Sequence, residues 1–340
     1  MKAMVLHKVA KAEKHPLMFE EDFEIPTPKD NEVLVKIDKC GVCRTDLHII
    51  EGDIPSLVSP IIPGHEIVGK VTLVGANVRT ISKGDRVGIS WLHRTCGRCE
   101  FCITSRENLC DNKVYTGYTV NGGYSQYAVG EEGFVFKLSK DSDSTKQAPF
   151  LCAGIIGYRA LKLALPRPGG TIGFFGFGGS AHLTLQLASK LGYETVAYSR
   201  NASHLELARE LGASRTVLLN HQDTNGKNSG QSLDSAIVFA PAGSVVLQAL
   251  RELKKGGQLA IPAIHMNAIP PIDYDRYLFG ERKIISVESN TRADAEEFLK
   301  LAERLGLESK TTVRDLEEAN EALIDLKNGN INGAFVVDCS

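Results

Sequence analysis

No apolar run in these 340 residues is long enough to cross a bilayer. The most apolar window, residues 169–188, contains His182, Thr184, Gln186 and six glycines, and reads as strand, turn and helix inside a core. The N-terminus lacks the apolar stretch of an export signal, because Lys8 and Lys11 interrupt it early. A soluble, cytoplasmic protein is therefore expected. A large charge of either sign is also missing. The net charge of −2 gives no reason to expect nucleic acid or an anionic membrane as a partner. Internal repeats and low-complexity tracts are absent. What remains is a globular composition, 43% hydrophobic and 24% charged, in a chain long enough for two domains with separate cores.

Cysteine is where the chain departs from the ordinary. Six of its eight cysteines fall into two constellations. Cys96-Gly-Arg-Cys99-Glu-Phe-Cys102 followed by Cys110 places four thiols within fifteen residues. Cys43, the pair His65-Glu66 and Cys152 form a looser set spread over more than a hundred residues. In a reducing cytoplasm, clustered thiols bind metal more often than they form disulfides. Zinc that only holds structure is enclosed by four protein ligands, whereas zinc that does chemistry keeps one position open. The dense set therefore reads as a closed structural site and the loose one as an open catalytic site, two zinc ions per chain. Cys40 makes a Cys-x-x-Cys with Cys43, but no βαβ pattern surrounds it, so it reads as a core thiol. Cys339 reads as a small strand hydrophobe.

Up to about residue 150 the chain is rich in short strand patterns separated by Pro-Gly and Lys-Gly-Asp turns, with little helical periodicity. That predicts a β-rich, barrel-like portion. From residue 171 the pattern alternates: strand 171–175, helix 179–191, strand 194–198, helix 203–211, strand 215–219. A polar loop at 220–232 leads to strand 233–239, helix 244–254 and strand 258–261. Such alternation builds a doubly wound parallel α/β sheet. After strand 283–287 come two amphipathic helices and a last strand at 333–338, whose pattern resembles the first portion. The expected division is 1–150 plus 292–340 for the β-rich, zinc-binding catalytic domain and 151–291 for a dinucleotide-binding domain.

The phosphate-binding turn is Gly176-Phe-Gly178-Gly179-Ser180-Ala181, between a strand and a helix. Its first glycine makes the tight turn and its second lets the backbone approach a pyrophosphate. Ala181, in third place, permits close packing of helix on strand. The end of the next strand selects the dinucleotide. An acidic residue there would accept hydrogen bonds from the ribose hydroxyls of NAD. This chain has Tyr198-Ser199-Arg200-Asn201 instead, and no carboxylate before Glu206. Ser199 and Arg200 leave room and positive charge for a 2′-phosphate, which favours NADP over NAD. In the loose cluster, Cys43, His65 and Cys152 leave one tetrahedral position free, where zinc can lower the pKa of a bound alcohol before hydride release. Glu66 is placed for ligand exchange, and Asp46 for orienting a ligating histidine.

These motifs resemble a family. Gly64-His65-Glu66-Ile-Val-Gly69-(five residues)-Gly75-Ala-Asn-Val78 is similar to the zinc signature of the zinc-dependent medium-chain alcohol dehydrogenases, within the medium-chain dehydrogenase/reductase superfamily. Cys43-Arg44-Thr45-Asp46-Leu47-His48 resembles that family's first-ligand segment, and the four-cysteine run its structural zinc loop. Gly84-Asp85-Arg86-Val87 and the stretch around Cys152 complete the likeness, which covers essentially the whole chain. The resemblance implies a Rossmann sheet beside a GroES-like barrel, with alcohol or aldehyde as substrate and a dimeric or tetrameric homo-oligomer. It also implies that Thr45 and His48 relay the alcohol proton towards solvent. Arg44, and Arg292 of Thr291-Arg-Ala-Asp294, would reach the pyrophosphate. Trp91 and Leu92 would wall a pocket for medium-sized or aromatic substrates. The chain departs from the family's usual Gly-Leu-Gly-x-x-Gly turn and from its acidic strand end.

Other readings compete. A polyol dehydrogenase of the same superfamily would often lack the Thr/His relay or the tryptophan. A nucleic-acid-binding zinc ribbon would need a basic surface, yet Arg94, Arg98, Arg106 and Lys113 are offset by Glu100, Glu107 and Asp111. A catalytically silent structural relative is the remaining alternative, and turnover with any alcohol would remove it.

Overall fold

The computed structural model describes residues 1–55, 58–219 and 231–340. Of the polar loop expected at 220–232, residues 220–230 lie outside the described residues. The chain forms two compact units: Met1–Cys152 with Ser289–Leu299 and Glu308–Ser340, and Ala153–Glu288 with Lys300–Leu307.

The first unit opens with β1 (Ala3–Leu6) and β2 (Leu17–Glu20), then the long β3 (Glu32–Val42) and helix α1 (Arg44–Glu51). β4 (Glu66–Val74), β5 (Arg86–Ile89) and β6 (Leu92–Arg94) follow. Next come the short α2 (Glu100–Ile103), β7 (Val114–Tyr115), β8 (Tyr127–Glu131), β9 (Val135–Lys137) and α3 (Ser144–Gln147). The second unit starts with α4 (Ala153–Ala164) and alternates β10 (Thr171–Phe175), α5 (Gly179–Lys190), β11 (Glu194–Ser199), α6 (Ala202–Glu210) and β12 (Arg215–Leu218). It continues with β13 (Leu233–Val238), α7 (Gly243–Glu252), β14 (Leu253–Ile261) and β15 (Lys283–Ser286). The chain ends with α8 (Arg292–Leu305), β16 (Thr311–Asp315), α9 (Ala319–Asn328) and β17 (Ala334–Asp338).

A seven-stranded sheet organises the first unit, in the order β16-β17-β3-β4-β5-β9 with β8 also paired to β3. Val33, Val35, Ile37, Ile67, Val87 and Ile89, each at most 1% exposed, fill one continuous core there. Each such side chain contributes roughly 1.5–3 kcal/mol by leaving water. The last strand does return to this sheet: Phe335 pairs with Val42 and Val337 with Cys40. Cys40 and Cys339 are both packed into this core.

The second unit is a six-stranded sheet, all parallel, in the order β12-β11-β10-β13-β14-β15. Renumbered from its first strand that is 3-2-1-4-5-6, the Rossmann arrangement, with the switch of direction beside β10. No helix among the described residues is long and apolar enough to cross a membrane.

Two local differences from the sequence expectation have physical causes, and the start of α1 has one too. Strand β14 begins at Leu253, five residues before the expected 258, and α7 stops at Glu252. Leu253 is fully buried and already paired with Leu233, so extended backbone wins over helical periodicity there. Strand β16 joins parallel to β17 as the sheet's edge, and its Thr-Thr-Val-Arg-Asp sequence shows little apolar alternation because most of it is exposed. Helix α1 is short, and its start is set by a capping box: the Asp46 carboxylate accepts from the main-chain N–H of Cys43 at 2.9 Å.

Candidate active site

Antiparallel pairing of β3 with β4 builds the floor of the site. Gly41 stands opposite Glu66 at the end of this ladder. A Cβ at Gly41 would lie 1.8 Å from Glu66 Oε2, so only glycine leaves space for that buried carboxylate. Cys43 follows β3 as the N-cap of α1, and His65 immediately precedes β4. The third thiol arrives from far along the chain. Residues Ala148–Leu151 form a buried turn packed under β5, where Gly88 accommodates Leu151, and Cys152 follows it. Cys43 Sγ and Cys152 Sγ are 3.9 Å apart. Ligand atoms of Cys43, His65, Glu66 and Cys152 all lie within 4.8 Å of one another.

Asp46 organises this cluster. It is fully buried, as is His65. Its Oδ1 accepts from the Gly64 N–H at 3.1 Å and from His65 Nδ1 at 2.9 Å. The ring thereby keeps its proton on Nδ1 and turns Nε2 towards the thiols. That Nε2 is buried without a hydrogen-bond partner, an arrangement proteins avoid unless the atom is used. The hydrogen bond from Cys152 holds the Cys43 thiol well below its usual range, against its burial and with help from His65. A ready thiolate, a second thiol and an imidazole lone pair aimed at one point fit zinc.

The other predicted residues of the first unit are placed as follows. Thr45 and His48 lie three residues apart on α1, hence on one face, and both are buried. His48 Nδ1 is 2.9 Å from Asp53 Oδ2. Trp91 packs edge-on against the His65 ring at 4.8 Å between centroids and stacks on Tyr115 at 4.5 Å. Leu92 is buried in β6, opposite Tyr115 of β7. Arg44 donates from Nη2 to the carbonyl of Leu326 at 3.0 Å. Arg292 begins α8 and is held by Glu107, with its guanidinium over the Phe134 ring.

The four-cysteine set forms a compact lobe. Cys96, Cys99, Cys102 and Cys110 also have their ligand atoms within 4.8 Å of one another. Cys99 Sγ is 3.5 Å from Cys102 Sγ, and Cys96 Sγ is 3.9 Å from Cys102 Sγ. Main-chain N–H groups of Arg98 and Cys99 lower the Cys96 thiol to about 6, making it a thiolate near neutral pH. Four sulfurs, with no fifth metal-binding group beside them among the described residues, suit a closed zinc site.

In the second unit, Gly176 has φ +87°, and a Cβ there would lie 2.9 Å from the Ala240 nitrogen. Gly178 caps α5 with extended backbone, where a Cβ would meet nothing within 4 Å. The chain's own packing thus does not demand glycine at 178, whereas a pyrophosphate against the helix N-terminus would. Gly179 and Ser180 open α5, and Ala181 is fully buried. Ser199 ends β11, buried, with its hydroxyl accepting from the Asn201 N–H, and Arg200 is exposed beside it.

Two residues of the site carried no signal in the motifs. Tyr124 is fully buried and donates its hydroxyl to Asp46 Oδ2 at 3.0 Å. The preceding Gly122-Gly123 pair, which permits close backbone approach, was the available hint. Glu107 is a buried carboxylate inside the four-cysteine lobe, and its position among the thiols was the only pointer to it.

Known proteins resemble this chain in sequence and in fold. Residues 29–140 match the alcohol dehydrogenase GroES-like domain, and residues 179–304 match the zinc-binding dehydrogenase family. The chain is 45% identical over 318 residues to the probable alcohol dehydrogenase AdhA of Mycobacterium tuberculosis (strain CDC 1551 / Oshkosh), covering 92% of this chain and 90% of that one. A solved cinnamyl alcohol dehydrogenase from Sorghum bicolor superposes with a TM-score of 0.89 at 29% identity, covering 99% of this chain and 97% of that one. The CAD from Helicobacter pylori, complexed with NADP(H), gives 0.85 at 25% identity, with 100% and 99% covered. The chain belongs to the zinc-dependent medium-chain alcohol dehydrogenase family. It is an alcohol dehydrogenase of the zinc type, working with a nicotinamide cofactor.

Proposed function

We propose that the protein interconverts alcohols, primary above all and secondary or aromatic ones besides, with their aldehydes or ketones, and that it prefers NADP(H). The observation that carries this reading is the convergence of Cys43, His65, Cys152 and Glu66 within 4.8 Å, with a buried and unpartnered His65 Nε2. Cys43, His65 and Cys152 hold the catalytic zinc, and Cys96, Cys99, Cys102 and Cys110 a second, structural one. Zinc bound by the first set supplies a Lewis acid that makes an alcohol hydroxyl acidic enough to give up its proton.

The chain's own residues then have separate tasks. Thr45 takes the proton and passes it along the same face of α1 to His48, which accepts it. Asp53, hydrogen-bonded to His48 Nδ1, orients that ring. Glu66 stands in reserve to exchange with another ligand. Trp91, braced by Tyr115 and set edge-on to His65, offers a flat wall to an aromatic substrate, with Leu92 beside it. The helix N-terminus at Gly178, Gly179, Ser180 and Ala181, together with Gly176, Arg44 and Arg292, binds the pyrophosphate. Ser199 and Arg200 receive the 2′-phosphate, in keeping with the NADP(H) complex of the Helicobacter pylori relative. Residues 1–150 with 292–340 act as the catalytic domain and 151–291 as the cofactor domain. The chain works as a homo-oligomer, dimer or tetramer, in the cytoplasm, without nucleic acid or membrane partners.

A kinetic panel of aliphatic and aromatic aldehydes and alcohols, each with NADPH and NADH, tests the reading. Turnover of aromatic aldehydes with NADPH supports it. Activity confined to polyols would replace it with the sorbitol-type alternative.

A further inference from the structure

We propose that Tyr124 is a positioning residue for the catalytic zinc, acting through Asp46 on His65; this rests on the zinc reading above. A phenol hydroxyl sealed from water costs free energy unless it is hydrogen-bonded, and Tyr124 is fully buried. Its hydroxyl donates to Asp46 Oδ2 at 3.0 Å. An ionised carboxylate only accepts, so all the groups around Asp46 must donate. They are the N–H of Cys43 and the Tyr124 hydroxyl on Oδ2, and the N–H of Gly64 and His65 Nδ1 on Oδ1. Three of these donors belong to the ligands or to the residue before one. Tyr124 is the fourth, and the only one that comes from elsewhere in the chain.

Tyr124 also grips the ligand segment by two other means. Its main-chain N–H donates to the Pro63 carbonyl at 2.9 Å. Its ring lies so close to Gly64 that a Cβ there would sit 2.6 Å from the Tyr124 Cδ1 atom, and Gly64 has φ +94°. The neighbouring Gly123 N–H donates to the Gly64 carbonyl at 2.9 Å. Backbone, ring and hydroxyl of one residue therefore locate Pro63, Gly64 and the carboxylate that orients His65. Without the hydroxyl, Oδ2 keeps the Cys43 N–H, and three hydrogen bonds in place of four hold the carboxylate against the imidazole. Groups that orient a metal-bound histidine change metal affinity by about 10–100-fold when removed.

The test is Tyr124→Phe, which deletes one oxygen and keeps the ring packing. Zinc release from the whole protein to a chromogenic chelator is followed with time, and the cobalt(II)-substituted enzyme gives a ligand-field spectrum. The catalytic zinc should leave about tenfold faster or more, the cobalt bands should shift, and the zinc of the four-cysteine lobe should leave at its original rate. In an Asp46→Asn background, the same substitution should change release by less than about twofold, since the route runs through Asp46. A lower melting temperature with both release rates and the cobalt spectrum unchanged would overturn the inference and make Tyr124 a core tyrosine only. If Tyr124→Phe does not fold, Asp46→Asn alone carries the test, and unchanged release of the catalytic zinc overturns the route. A release trace that Cys43→Ala leaves unaltered would instead remove the zinc reading itself.

Discussion

Glu107 Oε1 accepts two hydrogen bonds from Arg292, one from its main-chain N–H at 2.9 Å and one from Nε at 3.1 Å. The carboxylate is only 3% exposed and lies between the third and fourth cysteines of the four-cysteine lobe. It therefore caps α8, neutralises the first residue of that helix and fixes the guanidinium proposed to reach the cofactor pyrophosphate. In the proposed reading of Arg292, this contact ties the four-cysteine lobe to cofactor binding. Glu107→Ala should raise the KM for the cofactor about tenfold with little change in kcat. It should also cost about 1–2 kcal/mol of stability, because Arg292 is itself half exposed. An unchanged cofactor KM would free Arg292 from Glu107.

Removing one ligand from each metal set should have opposite consequences. Cys43→Ala is expected to abolish turnover while leaving a folded protein with about one zinc per chain. Cys102→Ala should lower the melting temperature and promote aggregation, because structural zinc contributes folding energy directly. Metal content by elemental analysis, beside the thermal midpoint, separates the two. Normal activity in Cys43→Ala would refute the assignment of the catalytic set.

The relay makes a kinetic prediction. His48→Gln should slow alcohol oxidation most near neutral pH, with partial recovery at high pH where hydroxide replaces the base. The quantity to measure is the pH profile of kcat/KM. A profile matching the parent enzyme would take His48 out of proton transfer and leave it as a partner of Asp53.

Cofactor choice tests Ser199 and Arg200. The parent protein should favour NADP(H) over NAD(H) by about tenfold or more in catalytic efficiency, which is roughly 1.4 kcal/mol. Arg200→Ala should erase most of that preference. Ser199→Asp should reverse it, repelling the phosphate and accepting from the ribose hydroxyls. Equal or better efficiency with NAD(H) in the parent protein would return Arg200 to the role of a surface residue.

Acid stability should depend on Glu51, the last residue of α1. Burial opposes its ionisation, but the Ala12 N–H, Lys327 and Lys11 overcome this and hold the carboxyl at about 2. Its oxygens accept from Ala12 at 2.9 Å, Lys327 Nζ at 2.7 Å and Lys11 Nζ at 3.1 Å. A pKa depressed on folding stabilises the protein above the unfolded value, near 4.3, and the gain is lost as pH falls from there towards 2. Glu51→Gln should remove on the order of 2 kcal/mol at pH 7 and flatten the stability profile between about pH 5 and 2. Denaturant melts across that range would detect it, and parallel profiles for both proteins would exclude the contribution.

Much of this molecule can be read along the chain, because the information is local. The parallel strands of the second unit announce themselves by apolar runs separated by helical periods, and strand 171–175 and the start of the helix at Gly179 fall where the pattern places them. Residue type and spacing alone mark the thiols of Cys96–Cys110 as a metal lobe, since four ligands within fifteen residues can close on an ion with little help from the rest of the fold. Other features have no local signature. Cys43 and Cys152 are separated by 109 positions, Tyr124 and Asp46 by 78, and Arg292 and Glu107 by 185. No period links such pairs: residue type and family likeness single out Cys43, Cys152, Asp46 and Arg292, but Tyr124 and Glu107 look like ordinary core or surface residues until the fold brings them to their partners. The edge strand β16 went unmarked for a related reason: its place comes from β17 beside it, not from apolar residues of its own. Chain chemistry thus set which groups were available to zinc and cofactor. Long-range packing set which of them meet, and which tyrosine and glutamate hold them there.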